Sequence, residues 1–269
     1  MDIINKIFEE KGLSDNSKKL YLSNLRKLNN GLPIKNLNFL KDMPKCLALV
    51  ADYSDNSKRS YIISACSVLK QMPKMKTVYN KWFSLLSNVN TDLKKVESSG
   101  VKTQKQADNW MSWPEIMAIR DALKPDSVEH LLLSLYVDIP PRRALDYTNM
   151  KMVDDGINNY CDMKNKKFIF RKYKTAKTMG EQSEPITEDL YKVIKAHHDK
   201  IPSDYLLGKS YKSPDITKML NKIFKSKVSV NMLRHIYLSD KYGKQKEDMK
   251  KDSIAMGHSS GMQADYIKQ

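Results

Sequence analysis

The sequence predicts a mainly α-helical protein that carries one small antiparallel β-sheet and is divided into two domains. Apolar residues recur at helical spacing through the first domain and through most of the second. Strand-forming residues are confined to about 156–187. Residues 97–108 lack apolar periodicity, which is typical of a linker. We therefore predict an all-α domain over 1–98, a linker over 99–108 and an α+β domain over 109–269.

The first domain contains two similar helices. Tyr21, Leu25 and Leu28 share one helical face, and the string Asn-Ser-Lys-Lys-Leu-Tyr at 16–21 returns as Asn-Ser-Lys-Arg-Ser-Tyr at 56–61. Because a solenoid needs at least three repeats, two copies indicate neighbouring helices of one bundle. The asparagine and serine that open each string are suited to cap the helix. The lysine-rich first turns suit either contact with phosphates or a solvated surface.

Helix-start signals organise the second domain. Residues 112–115, Ser-Trp-Pro-Glu, have the spacing of a capping box with an early proline. Residues 131–137 are apolar all round, which predicts a central helix. Thr187 is placed to cap a further helix, and another is expected to begin at Ser213.

Short sequence patterns predict the strands of the sheet and the helices of the C-terminal region. Residues 167–173 are rich in aromatic residues and predict a strand, and 183–186 predict a second strand after a turn at Gly180. From residue 228 onward the pattern predicts short helices that are broken at Gly243 and Gly257.

The composition points to a polyanionic partner. The chain has 47 Lys and Arg against 31 Asp and Glu, a formal net charge of +16, and cations that neutralise phosphates release counterions. General solubility or a lysine-rich bias is the alternative explanation. Seven of the basic residues are arginine, so each is a candidate for a site that needs a planar, bidentate donor.

Other classes of protein are disfavoured. No apolar run is long enough to span a membrane, and the N-terminus has no signal-peptide pattern. Cys46, Cys66 and Cys161 show no paired spacing, so disulfides and a cysteine-based zinc site are not expected.

Polar residues suited to chemistry gather in four segments of the second domain. The first is Pro-Arg-Arg-Ala-Leu-Asp at 141–146, and the second is Tyr-Lys-Thr-Ala-Lys at 173–177. The third is Asn-Met-Leu-Arg-His at 231–235. The fourth is Met-Gly-His-Ser-Ser at 256–260, with Asp-Tyr-Ile at 265–267 close behind.

In order and rough spacing these segments resemble the tyrosine recombinase (integrase) family. That family carries Arg-x-x-Glu, a lysine in a β-hairpin, His-x-Leu-Arg-His, Leu-Gly-His-Ser and then the nucleophilic tyrosine. The resemblance covers about 109–269, and the helical pattern before it is similar to the family's core-binding domain. It implies a two-domain clamp, and the motifs look like those of recombinases from large eukaryotic DNA viruses and mobile elements.

The resemblance implies a role for each matched residue. Arg143 and Arg234, with His258 as a third donor, would stabilise the extra negative charge of a phosphodiester under attack. Lys174 would protonate the leaving 5′ oxygen. Tyr266 would hold the DNA 3′ end as a phosphotyrosine, which conserves the bond energy. Neither a nucleotide cofactor nor a metal is therefore expected.

Alternatives stay open within the first two segments. Lys177 is a rival for Lys174, which is preferred because Tyr-Lys-Thr ends the predicted strand as the family's lysine does. Asp146 stands where the family has the glutamate that orients the arginine corresponding to Arg143. Arg142 is then expected to contact backbone or solvent.

The later segments depart from the family pattern. Asn231 replaces the usual histidine or lysine; its amide can donate a hydrogen bond but cannot act as a base, so the acceptor of the Tyr266 proton is not identified. His235 is expected to be a buried structural histidine. The gap from His258 to Tyr266 is eight positions, one shorter than usual.

The predicted function is site-specific cleavage and rejoining of double-stranded DNA. The alternatives are a type IB topoisomerase and a DNA-binding protein that has lost catalysis. The short segment after Tyr266 and the charge of +16 predict a free monomer that assembles, as a tetramer, on DNA. The expected location is intracellular, at DNA, in a host nucleus or a viral factory.

Overall fold

The computed structural model describes residues 2–259 and Tyr266. The chain divides into two compact units, Met1–Val101 and Lys102–Gln269. The described residues are mainly helical, with one three-stranded antiparallel sheet. This confirms the predicted combination of helices and a small antiparallel sheet.

The first unit is helical. Its helices are α1 (Asp2–Glu10), α2 (Asp15–Leu28), α3 (Met43–Ala48), α4 (Asp55–Leu69) and α5 (Lys76–Ser99), with single 3₁₀ turns at Asn38–Lys41 and Pro73–Met75. The core encloses Trp82, whose indole N–H donates to the carbonyl of Leu40 at 2.9 Å. Its largest side chain therefore carries no unpaired polar atom. Cys46 and Cys66 are free thiols in this core.

The repeated strings begin α2 and α4, but the caps lie earlier than predicted. The hydroxyls of Ser14 and Ser54 accept the backbone N–H groups of Ser17 and Ser57, at 3.3 and 3.4 Å. The prediction that the asparagine and serine at the start of each string cap the helix is therefore wrong. The two N-terminal turns share the longer string Ser-Asp-Asn-Ser-Lys, and these residues form the same capped turn twice.

The range predicted as a linker is partly helical. α5 continues to Ser99 and ends at Gly100, whose φ of +71° suits glycine. Helix α6 (Gln104–Ala107) then begins with a capping box between Thr103 and Gln106. Both features rest on local hydrogen bonds, so they form without apolar periodicity.

The second unit packs helices around the sheet. After α6 its helices are α7 (Trp113–Asp121), α8 (Val128–Val137), α9 (Ala144–Tyr147), α10 (Ala176–Met179), α11 (Glu188–Lys200), α12 (Ser213–Phe224) and α13 (Val230–Ala255). Residues 131–136 of α8 are all buried, which confirms the predicted central helix. The predicted caps at Ser112 and Thr187 are also present.

The sheet contains β1 (Tyr160–Asp162), β2 (Lys167–Phe170) and β3 (Gln182–Pro185) in chain order. Both pairings are antiparallel, and Phe170 of β2 lies opposite Gln182 of β3. The prediction of a strand over 167–173 is wrong at its end, because β2 stops at Phe170. Residues 171–175, named here the Lys174 connection, join β2 to α10.

Helix α13 differs from the prediction of short helices. It is continuous from Val230 to Ala255 and passes through Gly243, so the predicted break there is wrong. A single interior glycine costs only about 1 kcal/mol, and the helix formers around it continue the hydrogen-bond ladder. The second predicted break is found, because the chain leaves the helix before Gly257, whose φ is +73°.

No helix among residues 2–259 combines the length and the apolar character needed to cross a membrane.

Candidate active site

The turn between α8 and α9 presents two adjacent arginines. Pro140 and Pro141 come first, and because proline lacks an N–H and disfavours helix before it, α8 cannot continue. Arg143 takes the N-cap position of α9 with an extended backbone. Its half-buried side chain lines a cleft of about 230 Å³ that Arg234 also lines.

Arg234 reaches this cleft from the second turn of α13. Ser229 caps the helix, and the buried side chains of Leu233 and Ile236 fix which face of the helix packs inward. Arg234 lies at the edge of that face and is half-buried. The structure therefore brings Arg143 and Arg234 together from segments that are far apart in the sequence. We call their shared space the arginine cleft.

A third arginine, Arg142, also lines the cleft, together with the carboxylates of Asp146 and Glu184 with which it pairs. Arg142 Nε donates to Asp146 Oδ2 at 3.1 Å, and its Nη1 lies 3.9 Å from Glu184 Oε1. Among the residues that the structure describes, the guanidinium groups of Arg143 and Arg234 form no hydrogen bond or ion pair. Two guanidinium forks at one cleft favour an anion with several oxygens, such as a phosphate diester.

The Asp146 carboxylate, expected to orient Arg143, forms its ion pair with Arg142, while Arg143 acts on it through its backbone and its charge. The prediction that Arg142 contacts backbone or solvent is therefore wrong. Burial raises the pKa of Asp146, and the charge of Arg142 opposes that rise. An aspartate is one methylene shorter than the family's glutamate, and its carboxylate lies with the neighbouring arginine instead.

Neither of the two candidate general acids is part of the cleft wall. Lys174 is exposed, but Tyr173 and Thr175 on either side of it both line the arginine cleft. Lys177 is exposed on α10. The structure therefore places Lys174 between two residues of the cleft wall, and this position replaces the strand end as the reason to prefer it over Lys177.

Asn231 lies on α13 three residues before Arg234, which places both on one side of the helix. Its side chain is exposed and is not part of the cleft wall. His235 is also exposed, so the prediction of a buried structural histidine is wrong. Leu233 and Ile236 fill the inward face of α13, and His235 lies outside it.

His258 and Tyr266 form a pair beyond the C-terminal end of α13. Their rings are stacked, with centroids 5.3 Å apart and planes 21° apart. His258 Nδ1 lies 3.2 Å from the carbonyl oxygen of Ser259. Because a carbonyl oxygen only accepts, Nδ1 is the donor, and Nε2 of a neutral ring is left as an acceptor. Tyr266 is exposed to 66 %.

Helix α13 holds this pair away from the arginine cleft. The 21 helical steps from Arg234 to Ala255 span about 31 Å at the rise of an α-helix. The structure thus brings Arg143 and Arg234 together and brings His258 and Tyr266 together, but it leaves the two groups apart.

Asn159 is a structural residue of the site that the sequence motifs do not include. Its side-chain Nδ2 donates to the carbonyls of Asp146 at 2.8 Å and Lys172 at 2.9 Å. Its Oδ1 accepts the backbone N–H groups of Arg171 and Lys172, both at 2.7 Å. An asparagine before a strand is too common a signal to predict these contacts.

Comparison with known proteins finds the XerA recombinase among solved structures. The match has a TM-score of 0.39 and 15 % sequence identity, and it covers 100 % of this chain and 93 % of that chain. No protein-family model and no curated protein matches the sequence.

Proposed function

We propose that the protein cleaves and rejoins DNA strands as a tyrosine recombinase, with Tyr266 as the nucleophile. The observation that carries this proposal is the convergence of Arg143 and Arg234 on one cleft, whose two carboxylates, Asp146 and Glu184, form their ion pairs with Arg142. A phosphodiester attacked by a phenol gains negative charge on its nonbridging oxygens. Two fixed guanidinium groups stabilise that charge in the transition state.

The reaction balances without an external energy source. The exposed Tyr266 hydroxyl gives its proton to water, and its oxygen forms a bond to phosphorus as the bond to the 5′ oxygen breaks. Lys174 supplies the proton that the leaving oxygen takes up. The product is a 3′-phosphotyrosyl bond and a free 5′ hydroxyl. Attack by a 5′ hydroxyl on this bond reverses the chemistry, so the same residues rejoin the strand.

This chemistry requires Tyr266 to reach the arginine cleft, and we propose that α13 bends at Gly243 when DNA binds. Gly243 lies at the middle of α13, and a Cβ there would meet nothing within 4 Å. The flanking residues from 238 to 252 are exposed, apart from Gly243 and Met249, which are half-buried. Little packing therefore opposes a bend at the weakest helix former in the segment. Because His258 stacks on Tyr266, the same bend of α13 brings both side chains to the arginine cleft.

Covalent capture from a library of DNA sequences tests the proposal. The protein is incubated in chelator with nicked duplexes whose central segment is randomised, and adducts are isolated on a denaturing gel and sequenced. Among residues 2–259 and Tyr266 no group of three His, Cys, Asp or Glu side chains is placed to hold a metal. We expect an adduct without metal, because the arginines supply the charge.

The matched variant is Tyr266→Phe, which removes one hydroxyl. We expect it to form no adduct and to keep its DNA affinity within a few-fold, because binding depends on many phosphate contacts. An adduct that survives this change would exclude Tyr266 as the nucleophile. Relaxation of a supercoiled plasmid without strand exchange would identify a type IB topoisomerase. DNA binding without any adduct would identify a protein that has lost catalysis.

A further inference from the structure

We propose that Arg142 and Asn159 are positioning residues that hold the Lys174 connection against the turn that carries Arg143. The inference rests on the proposed function. It assigns the placement of the general acid to two residues for which the resemblance implies no catalytic role. The two side chains contact the connection at different points, and each contributes independent evidence.

Arg142 fixes the connection at Tyr173. Its Nε donates to Asp146 Oδ2 at 3.1 Å in α9, and its Nη2 donates to Gln182 Oε1 at 3.0 Å in β3. The guanidinium carbon lies 3.8 Å from the ring centre of Phe170 and 5.4 Å from that of Tyr173. One side chain thus joins α9, the end of β2, the Lys174 connection and the start of β3.

The burial of this group indicates orientation rather than net stabilisation. The side chain of Arg142 is 16 % exposed and that of Asp146 is 3 % exposed. Desolvation offsets most of the attraction in a buried ion pair, so such a pair adds little net stability. A planar guanidinium with fixed partners nevertheless restricts the directions in which its neighbours can lie. We infer that Arg142 sets geometry.

Asn159 fixes the connection at Arg171 and Lys172. Phe170 is the last residue of β2 with a partner in β3, so the N–H groups that follow have no strand opposite them. The Oδ1 of Asn159 accepts both of these N–H groups, and its Nδ2 bridges the carbonyls of Lys172 and Asp146. Asn159 is 5 % exposed, so these bonds form away from competing water.

Lys174 follows directly on the two fixed points. Its backbone is held beside the arginine cleft, while its exposed side chain stays free to turn toward a bound phosphate. The Tyr173 hydroxyl donates to the carbonyl of Gly180 at 2.6 Å and closes the far side of α10. Since a misplacement of about 1 Å can slow an enzyme by about 100-fold, loosening either contact should weaken proton donation by Lys174.

A sulfur substitution in the DNA isolates this step. In a duplex recovered by covalent capture, the bridging 5′ oxygen of the cleaved bond is replaced by sulfur, which leaves without a proton. We expect Arg142→Met and Asn159→Asp to slow adduct formation on normal DNA by at least about 10-fold. On the sulfur substrate both should lie within about 3-fold of wild type, as Lys174→Ala should, because general-acid catalysis is no longer needed.

Arg120→Met is the matched control. The Arg120 side chain is also 16 % exposed and also pairs with two carboxylates, Asp121 and Asp138, but neither belongs to the Lys174 connection. We expect this variant to act equally on the two substrates. Arg142→Lys keeps the charge and loses the planar fork, so we expect it to show the same substrate-dependent defect in milder form. It also serves if Arg142→Met does not fold.

The outcomes separate this inference from the proposed function. Equal slowing on both DNA substrates by the Arg142 and Asn159 variants, or no slowing, would overturn the inference while wild-type cleavage stands. Failure of the wild-type protein to form an adduct on either substrate would remove the proposed function and the inference with it. Sulfur rescue of Lys177→Ala but not of Lys174→Ala would overturn the choice of the lysine that is positioned.

Discussion

Arg143 and Asn231 differ in how closely each approaches the arginine cleft, and this predicts a ranking. Arg143 lines the cleft, whereas Asn231 is exposed and lies outside its wall. We expect Arg143→Ala to slow adduct formation by about 100-fold to 1000-fold, as the loss of one transition-state donor does. Asn231→Ala should cost much less, because an amide can orient a phosphate but cannot carry a proton away.

Single-turnover rates of adduct formation measure this ranking. His235→Ala is the control on α13, because His235 is exposed and one position from Arg234. It should retain a rate close to that of wild type. Equal losses for Arg143→Ala and Asn231→Ala, with unchanged thermal unfolding, would contradict the ranking.

The Asp154 carboxyl gives a prediction about how protonation and stability depend on pH. Hydrogen bonds from Arg171 and from the backbone N–H of Gly156 lower the pKa of Asp154 to about 2. A carboxyl with a lowered pKa in the folded state contributes stability above its ordinary value of about 3.9, and it loses this contribution as the pH falls through about 2. NMR titration of the Asp154 carboxyl should therefore have a midpoint of about 2.

Arg171→Met is the comparison for this titration. It removes the largest cause of the lowered pKa and leaves the Gly156 N–H in place, so the midpoint should move toward the ordinary value without fully reaching it. An ordinary midpoint in both proteins would show that the ion pair of Asp154 and Arg171 does not persist in solution.

Single residues of the candidate site differ in whether they can be predicted from the sequence. The motifs identify Arg143 and Arg234 because their order and spacing are visible in the chain. The motifs do not indicate the contacts of Arg142 and Asn159, since these contacts depend on partners in other elements. Gln182 for Arg142 and Lys172 for Asn159 become neighbours only when the sheet forms.

At the scale of elements, the end of β2 shows why a sequence pattern predicts that a strand exists better than it predicts where the strand ends. Residues 167–173 have the composition of one strand, but β3 pairs only as far as Phe170. The N–H groups of Arg171 and Lys172 bond to Asn159 instead. A strand needs a partner as well as suitable residues, and the sequence of the strand does not specify where that partner begins.

Helix α13 shows the opposite error, because the sequence pattern predicts an end at Gly243 and the helix continues through it. Gly243 suggests a stop, but a helix end also needs partners for its last carbonyl groups, usually through a left-handed residue. Gly243 stays within the helix, whereas Gly257 has a positive φ just beyond its end. Glycine alone therefore marks a place where α13 can bend, and the surrounding residues decide whether it does.

Gly243→Ala tests this property of α13. Alanine favours the helix over glycine by about 1 kcal/mol, and the added Cβ meets nothing within 4 Å. If Tyr266 reaches the arginine cleft through a bend here, the straight form gains population, and adduct formation should slow by about 5-fold. Stability toward heat should stay equal or rise. The readout is the single-turnover rate beside the unfolding midpoint.

Gln245→Ala is the control, since it lies two positions away, is exposed, and changes helix propensity only slightly. It should leave the adduct rate unchanged. A Gly243→Ala protein that forms adduct as fast as wild type would show that α13 does not need to bend at this residue.

At the scale of the whole molecule, the net charge of +16 gives a prediction about assembly. A net charge of +16 favours repulsion between free copies, and bound DNA phosphates would remove that repulsion. We therefore propose monomers in free solution and assembly on DNA, with light scattering as the measurement. The predicted clamp formed by the two domains and the location at DNA belong to the same proposal.

A mixture of two inactive variants tests whether one chain supplies the whole site. Arg234→Ala keeps Tyr266 but lacks a cleft arginine, and Tyr266→Phe has the opposite defect. If α13 bends within each chain, every site in the mixture lacks one of the two groups, so we expect no adduct at any ratio. Restored adduct, on the Arg234→Ala chain alone, would contradict the bend. It would mean that the continuous α13, about 31 Å long between Arg234 and Ala255, carries Tyr266 into the arginine cleft of a neighbouring copy.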